Sequence, residues 1–321
     1  MILALAGGVG GARFAHGLAQ VLDASELTVA VNTGDDFVHL GLYVAPDIDT
    51  VMYTLAGIND PQRGWGVANE TWHFMEQLAK LGSETWFQLG DRDLATNVER
   101  TRRLAQGQNL SEVTLQLCHS LGVGHRVVPM SDDRVRTRVD TDQGQLDFQD
   151  YFVRRRAEPE VRGFEYVGAN EAQMSTALRD CLSDPALRAV VICPSNPYLS
   201  VAPILSIPGV RNAIANAQVP RLAISPIVGG QALKGPAAKI MCELGKQSSV
   251  VEVAGFYHGL IDALVIDHAD ASLSDEIALT GIAPLVTATV MRDADDRRQL
   301  AEHVVGFCEQ WQLQDARSAE A

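Results

Sequence analysis

The chain has 321 residues, a formal net charge of −14 and an isoelectric point near 4.9. Hydrophobic residues make up 46%, enough for a large core, and the acidic balance argues against a nucleic-acid backbone as partner, since that requires basic patches. No apolar run approaches the roughly 20 residues of a membrane span, the first apolar run is too short for a signal peptide, and five scattered cysteines without CxxC spacing fit reduced thiols in a cytoplasm.

The first 36 residues read as strand, glycine loop, helix, strand and acidic loop. An apolar run over 1–6 is followed at once by Gly7-Gly8-Val9-Gly10-Gly11. A helical pattern from Ala12 carries Phe14, Leu18, Val21 and Leu22. A second apolar run, 27–31, stops at Asn32-Thr33-Gly34-Asp35-Asp36. Glycine lets a backbone come close to a ligand, and the unpaired N–H groups at a helix start favour an anion, most often phosphate. Four glycines among five residues exceed what a plain turn needs. Two carboxylates on the same sheet edge repel a phosphate unless a hard cation such as Mg²⁺ lies between them. The pair of features points to a metal-assisted nucleotide site, although the loop alone does not choose the nucleotide.

Asp47 and Asp49 precede a helical stretch over 51–56, with Pro46 favouring the turn; one acid suffices as a cap, so the other is available to a ligand. Residues 57–69 form a loop around Arg63-Gly64-Trp65-Gly66, where Trp65 reads as a packing anchor. Helices are expected over 70–81, 97–105 and 110–121, and strands over 86–89 and 126–129. The alternating stretches 134–139 and 145–149 flank Asp142-Gln143-Gly144 as a hairpin. This opens the least regular part of the chain, 134–165, an insertion or subdomain within one α/β domain spanning 1–321. Arg154-Arg155-Arg156 reads as a solvated face or, in so acidic a chain, as a contact for an anionic substrate. A helix over 171–182 precedes a buried strand, 189–192, that ends in Cys193-Pro194-Ser195-Asn196-Pro197. Strands over 222–224, 263–266 and 285–289, a helix opened by Lys234-Gly235-Pro236-Ala237 and a closing helix over 294–310 complete the reading.

Strands alternating with helices from end to end specify a doubly wound, mostly parallel, Rossmann-like sheet with helices on both faces. Ligand loops then gather at the carboxyl edge of the strands, where the glycine loop, Asp35-Asp36, Asp91-Arg92-Asp93, Ser131-Asp132-Asp133, Ser195-Asn196 and 225–230 converge. No Ser-His-Asp set or Cys/His metal spacing competes with this cleft.

The chain resembles the 2-phospho-L-lactate transferase family of coenzyme F-420 biosynthesis. The resemblance is carried, in family order over about residues 1–240, by Ala6-Gly7-Gly8-Val9-Gly10-Gly11-Ala12-Arg13, Asn32-Thr33-Gly34-Asp35-Asp36, Pro46-Asp47-Ile48-Asp49-Thr50, Arg63-Gly64-Trp65-Gly66, Leu89-Gly90-Asp91-Arg92-Asp93-Leu94-Ala95-Thr96, Met130-Ser131-Asp132-Asp133, Pro194-Ser195-Asn196-Pro197 and Ser225-Pro226-Ile227. Asn97 stands where the family pattern has His. The resemblance implies transfer of a phospho-acid (2-phospholactyl, phosphoenolpyruvyl or 3-phosphoglyceryl) from its diphosphoguanosine donor to a ribityl hydroxyl of the deazaflavin Fo, with release of GMP and a requirement for Mg²⁺. It also implies a homodimer.

In that reaction Gly7, Gly8, Gly10 and Gly11 would hold the diphosphate, and Asp35 with Asp36 the Mg²⁺. Asp35 or Asp49 would accept the hydroxyl proton. The resemblance places Asp49 and Gln88 at the ribityl chain. Arg92 either stabilises the developing phosphoryl charge or pairs with Asp91 or Asp93, and Arg13 has the same two readings. Ser195 and Asn196 are candidates for the guanosine side. Two rivals remain at this stage. A dinucleotide-dependent oxidoreductase would usually end its second strand in Asp or Glu, where this chain has Asn32. A non-catalytic regulator that binds a nucleotide sugar would not need the Asp49 and 89–96 motifs.

Overall fold

The computed structural model describes residues 1–319. The chain opens with β1 (Ile2–Ala6), α1 (Gly8–Val21) and β2 (Leu27–Val31), then a hairpin of β3 (Phe37–His39) and β4 (Leu42–Val44). Four helices follow, α2 (Pro46–Leu55), α3 (His73–Lys80), α4 (Asp91–Ala105) and α5 (Leu110–Ser120), and then β5 (Arg126–Pro129). The middle holds β6 (Arg136–Thr141), β7 (Gly144–Asp147) and β8 (Val161–Val167), followed by α6 (Thr176–Leu182) and β9 (Ala189–Ile192). Next come α7 (Ala202–Ser206), α8 (Val210–Ala215), β10 (Arg221–Ile224), the short pair β11 (Ile227–Val228) and β12 (Gln231–Ala232), α9 (Ala237–Glu243) and α10 (Val250–Phe256). The chain closes with β13 (Ala263–Ile266), α11 (Ser274–Ala278), β14 (Ala283–Val286) and α12 (Ala294–Ala319).

Seven strands form one sheet in the order β14-β13-β10-β9-β1-β2-β5, and every neighbouring pair is parallel. The central strands are continuous apolar runs because helices cover both faces. In β1, Leu3 and Leu5 join the apolar layer on one side, and Ile2, Ala4 and Ala6 the layer on the other, with α1, α2 and α12. Chain order reverses at β1. From β1 the strands run outward through β2 to β5, and β9 then returns to the opposite flank. That reversal is a topological switch point, the position where open α/β sheets leave a crevice at the strand ends. None of the described helices is long and apolar enough to cross a membrane.

The doubly wound sheet is as expected, and local elements differ in several places; α2 begins at Pro46, α4 already at Asp91, where a break was expected, and α6 only at Thr176. Helix α1 begins at Gly8, not at Ala12, so the glycines form its first turn. Gly8 has φ +64°, and a Cβ on Gly10 would lie 2.2 Å from the carbonyl oxygen of Pro194, so the helix start and the loop after β9 touch backbone to backbone. The expected strand over 86–89 is irregular; its apolar character serves an aromatic cluster, with Phe87 4.8 Å edge-on to Phe37 and Trp86 5.3 Å from His39. The β3–β4 hairpin was not legible because its turn is Leu40-Gly41, both at positive φ, without the Asn-Gly or Asp-Gly signature of such turns. Finally, the mid-chain hairpin gains a third antiparallel strand, β8, and Val139 and Val161 pack into the same apolar layer as Leu3 and Leu5.

Substituting Gly10→Ala should force the α1 start away from Pro194 and destabilise the fold by about 1–3 kcal/mol, read as a lower urea midpoint. Gly255→Ala, in α10 with no atom within 4 Å of the added methyl, should be neutral or stabilising.

Candidate functional site

A cleft of about 560 Å³ opens over the switch point. Its floor is the junction of β1, α1 and the loop after β9. The N–H of Gly7 donates to the Ser195 hydroxyl (3.2 Å), which donates to the Gly7 carbonyl (2.8 Å). The N–H of Gly8 donates to Asp47 (2.7 Å), and the other oxygen of that carboxylate accepts from the Asn32 amide (2.9 Å). Asn32 in turn accepts from the N–H of Gly34 (2.8 Å). The end of β1 is thus tied to the end of β2 through one buried carboxylate. Carboxylate at a helix N-terminus is favoured by the free amides and the dipole, so Asp47 is more than a cap for its own helix.

Asp35 lines the cleft. Its Oδ1 is buried without a hydrogen-bond partner, while its backbone carbonyl accepts from Gln149 (3.0 Å). Burial, and then the nearby Asp47, push the Asp35 carboxyl well above the usual carboxylate range. Burial likewise pushes Asp47 up to about 6, against its hydrogen bonds from Asn32 and Gly8. An orphaned buried carboxylate oxygen crowded by a second acid fits a site for a hard cation that substrate phosphates complete. No group of three or more His, Cys, Asp or Glu side chains among the described residues is placed to hold a metal unaided. Asp36 faces elsewhere. It accepts from the Tyr43 hydroxyl (2.8 Å), is absent from the residues lining the cleft, and is pushed up to about 7 by burial, with Arg136 and Tyr43 opposing. The hairpin that supplies Tyr43 turns the two adjacent acids to different partners.

Asp49 also lines the cleft, in a buried bidentate ion pair with Arg100, which is fully buried. Burial raises the Asp49 carboxyl and the guanidinium opposes it. Arg100 is held by Asn97 (2.8 Å), whose amide donates to the Asp93 carbonyl (3.0 Å). Asp93 accepts from the Tyr53 hydroxyl (2.9 Å), and burial followed by the charge of Asp49 pushes it up to about 7. The sequence reading missed Arg100. Its signal was the spacing of Asp93, Asn97 and Arg100, which places three polar groups on one helical face.

The remaining candidates divide. Gly7, Gly8, Gly10, Arg13, Gln88, Ser195 and Asn196 line the cleft, and Gly11 packs beneath against Ser195. Ser195 is occupied with Gly7, and the Asn196 side-chain oxygen caps the turn Pro197–Val201 through Tyr198 and Leu199. Gln88 donates to the Thr85 carbonyl (2.6 Å) and Arg13 to the Met291 carbonyl (3.3 Å). Arg92 does not line this cleft. It sits in the first turn of α4, bonds the Ala68 carbonyl (3.2 Å) and borders a neighbouring hollow of about 420 Å³. Trp65, expected as a packing anchor, is 41% exposed and borders the cleft, with the Arg63 guanidinium held between it and Trp72.

Comparison with known proteins places this geometry. The family model described as 2-phospho-L-lactate transferase CofD matches residues 2–305. Proteins named phosphoenolpyruvate transferase are similar over nearly the whole chain. That of Streptomyces coelicolor is 40% identical, covering 96% of this chain and 98% of its own. That of Streptomyces griseus is 41% identical with the same coverage, and that of Mycobacterium leprae is 38% identical, covering 92% and 96%. Among solved structures, a Bacillus halodurans protein described as a member of the UPF0052 family shares the fold. Its TM-scores are 0.58 and 0.60 in two crystal structures, at 14% identity, covering 95% of this chain and 98% of that one.

Replacing Arg100 by Met should leave Asp49 buried and unpaired and cost about 3–5 kcal/mol, measured by urea unfolding. Adding Asp49→Leu should recover much of that loss, because the uncompensated charge is then gone.

Proposed function

The chain belongs to the 2-phospho-L-lactate transferase family, and on that premise we propose that it moves a phospho-acid from a guanylyl-activated donor to a ribityl hydroxyl of the deazaflavin Fo. The acceptor oxygen forms a bond to the donor's acid-bearing phosphorus. The bridging P–O bond breaks, GMP departs with the electron pair, and the hydroxyl proton passes to a carboxylate. The observation that carries this reading is the meeting, in one crevice, of the α1 N-terminus with the orphaned carboxylate oxygen of Asp35. Three of the similar proteins bear the name phosphoenolpyruvate transferase, which favours the enolpyruvyl group as the acid carried.

Each side chain has a part in that reading. The first-turn amides of α1 face the phosphates, and Asp47 holds that turn in place through Gly8. Asp35 would hold Mg²⁺, which when bound neutralises phosphate charge and lowers the cost of displacing GMP. Asp49, fixed by Arg100, retains lone pairs with which to accept the ribityl hydroxyl and its proton. Tyr53, Phe87 and Phe148 line the same region and offer an apolar wall to a planar ring. The proposal extends to a homodimer acting in the cytoplasm.

Mass spectrometry of products formed from Fo, Mg²⁺ and the three guanylyl donors in competition should show the phosphoenolpyruvyl diester first. No product from any donor would favour a non-catalytic binding protein. Asp35→Asn should abolish turnover in a protein that still folds; near-normal activity would remove Asp35 from the mechanism.

The raised carboxyls also set a pH dependence. A carboxyl whose folded pKa exceeds its unfolded value contributes stability that is present in acid and lost as pH rises through the folded value. Asp47 and Asp93 stand at about 6 and 7, and Asp35 is also raised. The melting temperature of metal-free protein should therefore fall between about pH 4, the ordinary aspartate value, and about pH 7. Mg²⁺ should offset that fall, more strongly at the alkaline end because Asp35 must first lose its proton. Asp35→Asn should erase the Mg²⁺ effect.

A further inference from the structure

The antiparallel sheet of β6, β7 and β8 supplies no reacting group to the chemistry above, yet this part of the chain grips the loop that carries Asp35. Three consecutive carbonyls of that loop accept from it. The Thr33 carbonyl accepts from the Arg136 guanidinium (3.4 Å), the Gly34 carbonyl from the N–H of Thr137 (2.8 Å) and the Asp35 carbonyl from the Gln149 amide (3.0 Å). The N–H groups of the loop close on the loop itself: Gly34 donates to the Asn32 side chain (2.8 Å) and Asp36 to the Thr33 carbonyl (3.2 Å). The carbonyls of Gly34 and Asp35 are left for another element to satisfy, and the mid-chain segment does so.

The fit is close on both sides of the loop. A Cβ on Gly34 would lie 2.7 Å from the Thr137 hydroxyl and 2.9 Å from Cβ of Pro203, so the loop has no room to slide between them. The sheet is itself fixed, because Val135, Val139 and Val161 pack in the same apolar layer as Leu3 and Leu5. Gln149 is buried and follows Phe148, whose ring stacks on Phe152 at 5.3 Å. Arg136 also lies over the Tyr43 ring (5.6 Å), and the Tyr43 hydroxyl holds Asp36. This grip matters for Asp35 because its Oδ1 has no hydrogen-bond partner. A carboxylate oxygen without a partner takes its direction from the main chain that carries it.

We propose that the mid-chain sheet is a brace for the Asp35 loop, and that Gln149 is a positioning residue that fixes the direction of the Asp35 carboxylate through the carbonyl of the same residue. The chain thereby ties its least regular segment to the end of β2, which is otherwise joined to the rest of the site through Asn32 and Asp47. The cation at Asp35 rests on the transferase reading above; the brace does not.

The test compares the wild type with three variants. Gln149→Met keeps the length of the side chain and removes its donor. Gly34→Ala forces the loop off the brace. Gln145→Met is an exposed change on β7 of the same sheet. Hydrogen exchange of metal-free protein, followed by mass spectrometry, should show segment 32–37 exchanging about tenfold faster in the first two variants and unchanged in the third, the effect of one lost buried hydrogen bond. Mn²⁺ titrated by electron paramagnetic resonance in the presence of GDP should bind about tenfold more weakly to Gln149→Met. In turnover, the Mg²⁺ concentration for half-maximal rate should rise by a similar factor, with the rate at saturating Mg²⁺ within about threefold of the wild type. A wild type that binds no Mn²⁺ would remove Asp35 as a cation ligand, and the exchange result would still decide the brace. Unchanged exchange at 32–37, Mn²⁺ affinity unmoved despite faster exchange, a raised KM for Fo with no raised Mg²⁺ requirement, or the same effects in Gln145→Met would overturn the inference.

Discussion

One buried carboxylate holds the site in its shape. Asp47 accepts from the amide that opens α1 and from the side chain that ends β2, so two neighbouring strands share one anchor above the sheet. A helix start normally leaves its amides to water or ligand; here the first amide is taken by Asp47. The same carboxylate crowds Asp35 and helps to raise it. Structural order at the helix start and chemical readiness at Asp35 therefore have a common origin. The cost is the burial of several acids, which the fold bears because Asn32, Gly8, Tyr53 and Arg100 each supply a donor.

Much of this was legible in the sequence, and the reasons differ by element. The central strands were readable because burial on both faces leaves uninterrupted runs such as 2–6 and 189–192. The convergence of the glycine turn, Asp35, Ser195-Asn196 and Ser225-Pro226 followed from topology, whereas Ser131-Asp132-Asp133 stays outside the cleft and 91–93 opens α4, with only Asp93 reaching the cleft. The direction of adjacent side chains was less accessible. Asp35 and Asp36 are indistinguishable by type, and Tyr43, on a hairpin with an atypical Leu-Gly turn, determines which of them leaves the cleft. Arg100 was hidden for a different reason. Charges on a helix usually read as a solvated face, and only a partner 51 residues earlier makes this one internal. The start of α1 was misplaced because a glycine cluster reads as loop, whereas close approach to Pro194 explains it equally well.

The polar core of α4 is built without a histidine. Asn97 bridges Arg100 to the α4 backbone, with its carbonyl on the guanidinium and its amide on Asp93. A neutral amide performs both tasks without adding a titrating group beside Asp49. The consequence is that Asp49 is oriented by a fixed charge at every physiological pH, since guanidinium does not deprotonate.

Charge is segregated across the cleft. Asp35, Asp47, Asp49 and Asp93 line it from the loop after β2 and from α2 and α4, and Lys234 and Arg292 line it from the segments after β12 and β14. The first turn of α1 lies between them at the switch point. The strand order that separates β2 from β10 by β1 and β9 is what keeps the two kinds of charge apart.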